Sequence, residues 1–210
     1  MAIMNDRKPT IYVVDDDEAV RNSLQWLIAS IDLEVRTYGS AQEFLADFSP
    51  EAPGCLVVDV RMPGMSGLEL QRQLVDRGSD IPVVVITGHG DVEMAVRAMK
   101  AGAFDFIQKP FNDQVLLDLI QTALEKSTRV ARAQAERTHV RDQLDQLTER
   151  EREVLNGIVA GESNRQIATR LDLSEKTIEF HRAKVMRKME AGSLAELTRK
   201  VVLAEPEPQT

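Results

Sequence analysis

Four short stretches of the sequence place chemically capable side chains at the ends of runs rich in β-branched residues. Asp15, Asp16 and Asp17 follow Ile11–Val14, Asp59 closes Cys55–Asp59, Thr87 closes Ile81–Thr87, and Lys109 and Pro110 come just after Ala103–Ile107. If these runs are strands of one parallel sheet, carboxylates, a hydroxyl and an ammonium share its carboxyl edge, where such sheets hold ligands. Carboxylates gathered in one crevice repel each other and need positive charge among them. A hard divalent cation with oxygen ligands meets that need, and Mg2+ (or Mn2+) does so through a few carboxylates while keeping several waters. A phosphoryl group could then pass to one carboxylate, with the metal, Lys109 and the Thr87 hydroxyl balancing charge on its equatorial oxygens. Asp59, alone at its strand end, is the candidate nucleophile, and the pair Asp15 and Asp16 suits the metal. Taken singly, each residue has a plainer reading as a helix cap, a turn residue or a surface lysine. Their joint occurrence at four strand ends, in order, carries the functional reading.

The elements that must position these groups are legible between Thr10 and Lys126. Ile11–Val14, Leu33–Thr37, Cys55–Asp59, Ile81–Thr87 and Ala103–Ile107 read as strands. Glu18–Ser30, Ala41–Phe48, Ser66–Arg77, Asp91–Ala101 and Asp113–Lys126 read as helices. Five alternating units imply a doubly wound α/β fold with a parallel sheet. The nearly continuous apolar runs Ile11–Val14, Leu56–Val58 and Pro82–Ile86 are what strands covered on both faces require.

The chain has 210 residues, 43% apolar and 29% charged, with 26 basic against 34 acidic side chains and a net charge of −8. Two domains suit that length better than one. The single cysteine, Cys55, excludes a disulfide framework within the chain, and three separated histidines exclude the usual zinc spacings. The polar opening segment Met1–Pro9 has no apolar signal core, and no apolar run approaches a membrane span, so a cytoplasmic protein without membrane contact is expected.

After Lys126 the character changes. Ser127–Leu147 is rich in Ala, Arg, Gln and Glu and lacks Gly and Pro. Its apolar residues are sparse: Val130, Val140, Leu144 and Leu147. With no sustained heptad, this reads as a solvated connecting helix rather than a coiled coil. From Thr148 onward the pattern is helical. Thr148 and Glu151 form a capping box, Gly161 ends that helix, Ser163 or Asn164 starts a second through Leu171, and Ser174 caps a third to about Met189. Gly192 and Ser193 open a fourth. Ile158, Val159, Ile167, Ala168, Leu171, Ile178, Val185, Met189, Leu194 and Leu197 are the expected core of this compact all-α domain. The tail from Glu205 has a composition that favours disorder.

Charge is localised within that domain. Ser163–Lys188 holds seven basic residues against three acidic ones, a net of +4, so the remainder of the chain carries −12. A short helix, a tight turn and a longer capped helix make a helix-turn-helix, whose second helix can enter a major groove. A bundle with a solvated basic face is the plainer alternative.

These motifs resemble a known family. VVDDD with Asp15 and Asp16, VVDVRMPGMSG around Asp59, VITGHGD around Thr87 and DFIQKPF around Lys109 resemble the receiver domain of two-component response regulators. The last three, with SNRQIATRLDLSEKTIEFHRAKVMRKM downstream, are similar to the FixJ subgroup, and residues 148–203 resemble a LuxR-type helix-turn-helix. The resemblance implies a flavodoxin-like receiver at 8–127, a helical linker at 128–147, a four-helix DNA-binding domain at 148–204 and a disordered tail at 205–210. It implies that Asp59 accepts phosphate from a phosphohistidine on a sensor histidine kinase. Asp16, Asp59 and the backbone carbonyl of Arg61 would ligate Mg2+, with Asp15 acting through water, and Lys109 and Thr87 would contact the phosphoryl group. Slow autodephosphorylation, rather than enzymatic turnover on a substrate, would be the chemistry of the site.

The resemblance also implies a switch, in which Thr87 moves toward the phosphate and Phe106 swings inward, reshaping the face Asp91–Phe106 into a dimer surface. From the residues alone, Phe106 reads as a static core aromatic rather than a switch, and Met94, Val96 and Met99 are open between core and surface. For the output domain, Glu179, Phe180 and Ala183 would face base edges, and Lys176, Thr177, Lys184 and Arg187 phosphates, with Arg182 also among the DNA-binding residues. His181 reads as packed or phosphate-bonding rather than catalytic. The expected partners are the kinase, double-stranded promoter DNA, RNA polymerase and, after phosphorylation, a second copy of the chain, with the output domain released from inhibition. One rival, an aspartyl phosphohydrolase, needs an acid/base Asp two residues after the nucleophile, where Arg61 stands. A second rival keeps the switch but gives the helical domain a protein or RNA partner.

Overall fold

The computed structural model describes residues 9–49, 53–88 and 92–204. Nearly all of the opening segment, the tail from Glu205 and the expected helix start at Asp91 lie outside them. The chain divides into two compact units, residues 1–132 and 133–210.

In the first unit, β1 (Thr10–Val14), β2 (Glu34–Tyr38), β3 (Gly54–Asp59), β4 (Val83–Thr87) and β5 (Asp105–Gln108) form one sheet in the order β2-β1-β3-β4-β5, with every pairing parallel. Helices α1 (Glu18–Ala29), α2 (Ala41–Asp47), α3 (Gly67–Asp76), α4 (Val92–Lys100) and the start of α5 (Asp113–Asp145) alternate with the strands. The inner strands are buried along their whole length because both faces are covered. Their alternate residues feed two cores. Tyr12, Val14, Leu56, Val58 and Val85 face one, and Ile11, Val13, Cys55, Val57, Val84 and Ile86 the other. Burial pushes the Cys55 thiol up to about 12, so it is an inert core residue.

Strand ends differ from expectation by at most two residues, as at β4, which begins at Val83 instead of Ile81, and at β5, which begins at Asp105 instead of Ala103. Ala103 packs into a core while its amide bonds the Ala98 carbonyl at 3.0 Å, closing the α4–β5 turn. Helix α5 runs on past Lys126 to Asp145 as one element of 33 residues. Nothing between Asp113 and Asp145 interrupts it, since the stretch has no Gly or Pro and is rich in strong helix formers. Ser127 is buried, its Oγ accepting the Gly54 N–H at the start of β3 at 3.0 Å.

The second unit comprises the end of α5 with α6 (Glu149–Val159), α7 (Asn164–Leu171), α8 (Glu175–Lys188) and α9 (Leu194–Ala204). The Thr148–Glu151 capping box is present, Ser163 forms another with Gln166, and Ser174 caps α8. Val154, Leu155, Ile158, Ile167, Ala168, Ile178, Val185, Met189 and Leu197 form the core, with Leu171 packed at its edge. Two expected members are absent from it. Val159 is 36% and Leu194 50% exposed, because each ends or opens its helix beyond the covered face. Val140 and Leu147 are buried in this core and Leu144 packs against it, so this stretch does not form the solvated connector expected of Ser127–Leu147. Their i, i+4, i+7 spacing is a short amphipathic stripe, enough to cover one small domain though too brief to register as a heptad.

Candidate functional site

The three aspartates after β1 take separate roles. Asp15 is buried. Its Oδ2 accepts from Lys109 Nζ at 2.7 Å, its Oδ1 from the Asp17 N–H at 2.9 Å, and its carbonyl from the Arg21 guanidinium at 2.7 Å. Asp16 is exposed, and Asp17 caps α1 by accepting from Ala19 and Val20. Across the crevice, buried Asp59 takes Lys109 Nζ on Oδ1 at 3.0 Å and the Arg61 N–H on Oδ2 at 2.6 Å. One ammonium therefore bridges the two buried carboxylates. This convergence falls between β1 and β3, where the strand order reverses and the sheet opens a crevice.

Burial works against the charge on Lys109, but its hydrogen bonds and attraction to Asp15 and Asp59 outweigh that cost and hold its pKa above the ordinary lysine range. The side chain is thus a fixed cation at neutral pH. Thr87 is buried at the end of β4, and its carbonyl accepts the Lys109 N–H at 2.8 Å, tying the end of β5 to that of β4. Phe106 is half-buried on β5, packed against the core that holds Val85 and Met94. On α4, Met94 is buried, whereas Val96 and Met99 are 44% and 47% exposed, which resolves what the sequence left open.

The donor set suits a hard cation: carboxylates of Asp15, Asp16 and Asp59 with the Arg61 carbonyl, all oxygen. Among the described residues no group of three or more His, Cys, Asp or Glu is gathered as a metal site. Asp16 stands in solvent, and Lys109 supplies the charge between the other two.

Two supporting residues escaped the sequence reading. Arg21 fixes the Asp15 backbone, and nothing in its helix-face spacing marks it. Gly67 opens α3 against the end of β3, where its N–H donates to the Val60 carbonyl at 3.0 Å and a Cβ would collide with the Asp59 carbonyl oxygen. A glycine following the Ser66 cap was its only signal.

In the second unit, α7 closes on Asp172, which adopts a left-handed conformation with φ of 54°, and Leu173 and Ser174 complete the turn into α8. Ile178 and Val185 are buried. At about 100° per residue, Lys176, Phe180, Ala183 and Arg187 lie on the opposite side, and all four are exposed. Glu179 is exposed beside that stripe, while Thr177, Arg182 and Lys184 are half-buried. Thr177 closes the cap, its N–H donating to Ser174 Oγ at 3.1 Å.

A five-stranded parallel sheet with a carboxylate–lysine crevice, followed by a helix-turn-helix, is the plan of a two-part regulator. Residues 11–121 match the response regulator receiver domain model, and residues 145–201 match that of the bacterial regulatory proteins of the luxR family. The transcriptional regulatory protein FixJ of Rhizobium meliloti (strain 1021) is 49% identical over 191 residues, covering 90% of this chain and 93% of that one. Response regulator protein TodT of Pseudomonas putida (strain F1) is 46% identical over 197 residues, covering 93% and 86%. The low-resolution structure of response regulator StyR superposes with a TM-score of 0.87 at 45% identity, covering 93% of this chain and 99% of that one. The chain belongs to the response regulators, in the FixJ-like group that joins a receiver domain to a LuxR-type DNA-binding domain. No helix among the described residues is long and apolar enough to cross a membrane.

Proposed function

We propose that the protein is a phosphorylation-controlled transcription factor of the cytoplasm in which Asp59 is the phospho-acceptor. The bridging of Asp15 and Asp59 by Lys109 carries this reading, because it gathers a nucleophile, a second carboxylate and a fixed cation in one crevice. An Asp59 carboxylate oxygen forms a bond to phosphorus as the P–N bond of a kinase phosphohistidine breaks, and the leaving imidazole nitrogen retains the electron pair. Lys109 and the Thr87 hydroxyl receive the phosphoryl oxygens. Mg2+, held by Asp16, Asp59 and the Arg61 carbonyl with Asp15 acting through water, would neutralise charge on the transferring group. Asp59 later returns to its free form by slow hydrolysis of the acyl phosphate.

The added charge biases Thr87 and Phe106 toward a second arrangement, which favours a homodimer across the α4–β5 face, where Val96 and Met99 are already exposed. Two copies of α8 then engage two half-sites of promoter DNA, where the regulator meets RNA polymerase. Lys176, Thr177, Lys184 and Arg187 serve phosphates, Glu179, Phe180 and Ala183 face bases, and Arg182 belongs to the same DNA-binding surface.

The test is incorporation of phosphate from acetyl phosphate or phosphoramidate with Mg2+, comparing the natural protein with Asp59→Asn. Labelling of the natural protein and none of the variant is expected. Equal labelling would end the assignment.

A further inference from the structure

Phe180 sits at the middle of the outward stripe of α8, 57% exposed, and takes no part in the core around Ile178, Val185 and Met189. Among the described residues it shares exposure on that scale with one other aromatic, Trp26 on α1. Two neighbours nevertheless contact its ring. Lys184 Nζ lies 4.3 Å from the ring centroid, and the His181 ring meets it edge-on at 5.9 Å. Lys176 and Arg187 flank it along the same stripe, so an apolar ring stands on a cationic face.

We infer that Phe180 is a specificity-determining residue that reads the 5-methyl group of a thymine in the major groove. The inference rests on the DNA-binding reading of α8 and adds the base chemistry to it. A phenyl ring can satisfy none of the donors and acceptors that base edges present, and the apolar group they offer in the major groove is the thymine methyl. The flanking cations suit the phosphates on either side and keep the helix seated. Ala183, one turn further along the stripe, adds no bulk beside the ring. The contacts with Lys184 and His181 favour this rotamer before binding, so less freedom is lost when the contact forms.

The test begins with the full chain, treated with acetyl phosphate and Mg2+, selecting duplexes from a random pool. Each thymine of an enriched duplex is then replaced singly by deoxyuridine, which removes the methyl and leaves every hydrogen-bonding group in place. Affinity should fall about fourfold at one thymine per half-site, the worth of one buried methyl. In Phe180→Ala that replacement should have no effect, while the dependence of binding on salt stays as in the natural protein. The inference is overturned if no thymine matters to the natural protein, or if the loss persists undiminished in Phe180→Ala. Failure to enrich any duplex would overturn the DNA-binding reading itself, and the inference with it.

Discussion

At residue 67 the side chain is decided by distance rather than by helix preference. An alanine at the first position of a helix should help by up to about 1 kcal/mol on propensity alone. Here a Cβ would collide with the Asp59 carbonyl oxygen and lie 3.0 Å from Val58 Cγ2. Both belong to the strand that presents the acceptor, so relief must come from moving α3 or moving Asp59. Gly67→Ala should therefore destabilise the receiver by about 1–3 kcal/mol and reduce labelling of Asp59 by acetyl phosphate, measured by urea melts and phosphate incorporation. A neutral or stabilised variant would show that α3 has slack the packing does not suggest. The contrast with Asp15 shows what a sequence reveals at this scale. Residue type and strand-end position were enough to nominate Asp15, Asp59, Thr87 and Lys109, because a carboxylate or ammonium is visible in one letter. The backbone approach that requires Gly67, and the reach of Arg21 to a carbonyl, depend on three-dimensional distance and leave almost no mark in one dimension.

At the scale of elements, chemical punctuation was the most legible feature, and the C-terminal helices show it. Thr148, Ser163 and Ser174 each accept from the backbone three residues on, as their types and spacing required. The far end of α5 is illegible in sequence for a related reason. With no punctuation between Asp113 and Asp145, nothing in one dimension marks where one core ends and the next begins, and Val140 and Leu147 read as solvated although they are buried. Helices α6 and α8 are further tied by a polar link. Lys188 Nζ donates to Glu151 Oε2 at 2.6 Å and to the Gln146 carbonyl at 3.0 Å, and Glu151 is buried. The hydrogen bond from Lys188 is the main reason the Glu151 carboxyl lies at about 2, against burial that opposes it and with help from the Thr148 cap. A carboxylate whose pKa is depressed in the folded state contributes stability above its unfolded pKa and loses it on acidification. The helical unit should thus lose on the order of 3 kcal/mol as pH falls from about 4.5 to 2. Glu151→Gln should be less stable at pH 7 and show a flatter acid profile, followed by circular dichroism. Parallel profiles would show that the link contributes nothing.

Across the whole molecule, charge is segregated, with +4 confined to Ser163–Lys188 in a chain that is otherwise −12. Such a balance gives little general affinity for polyanions, so duplex binding must come from the few cations that α7 and α8 display together. Some of these are already engaged. Arg170 pairs with Glu162 at 2.9 Å and Lys188 with Glu151, which leaves Lys176 and Arg187 exposed on the outward stripe of α8. Each phosphate contact that is neutralised releases counterions, so the slope of log affinity against log salt counts the contacts at about 0.9 apiece. Lys176→Ala and Arg187→Ala should each shallow that slope by about one contact per bound protomer, hence about two for the dimer, and weaken all duplexes alike, preferred and random. Arg170→Ala should leave the slope unchanged, because its guanidinium is committed to Glu162 and the Glu153 carbonyl. Fluorescence anisotropy over a salt series separates these outcomes. A shallower slope in Arg170→Ala with none in the other two would move the phosphate-facing surface from α8 to α7.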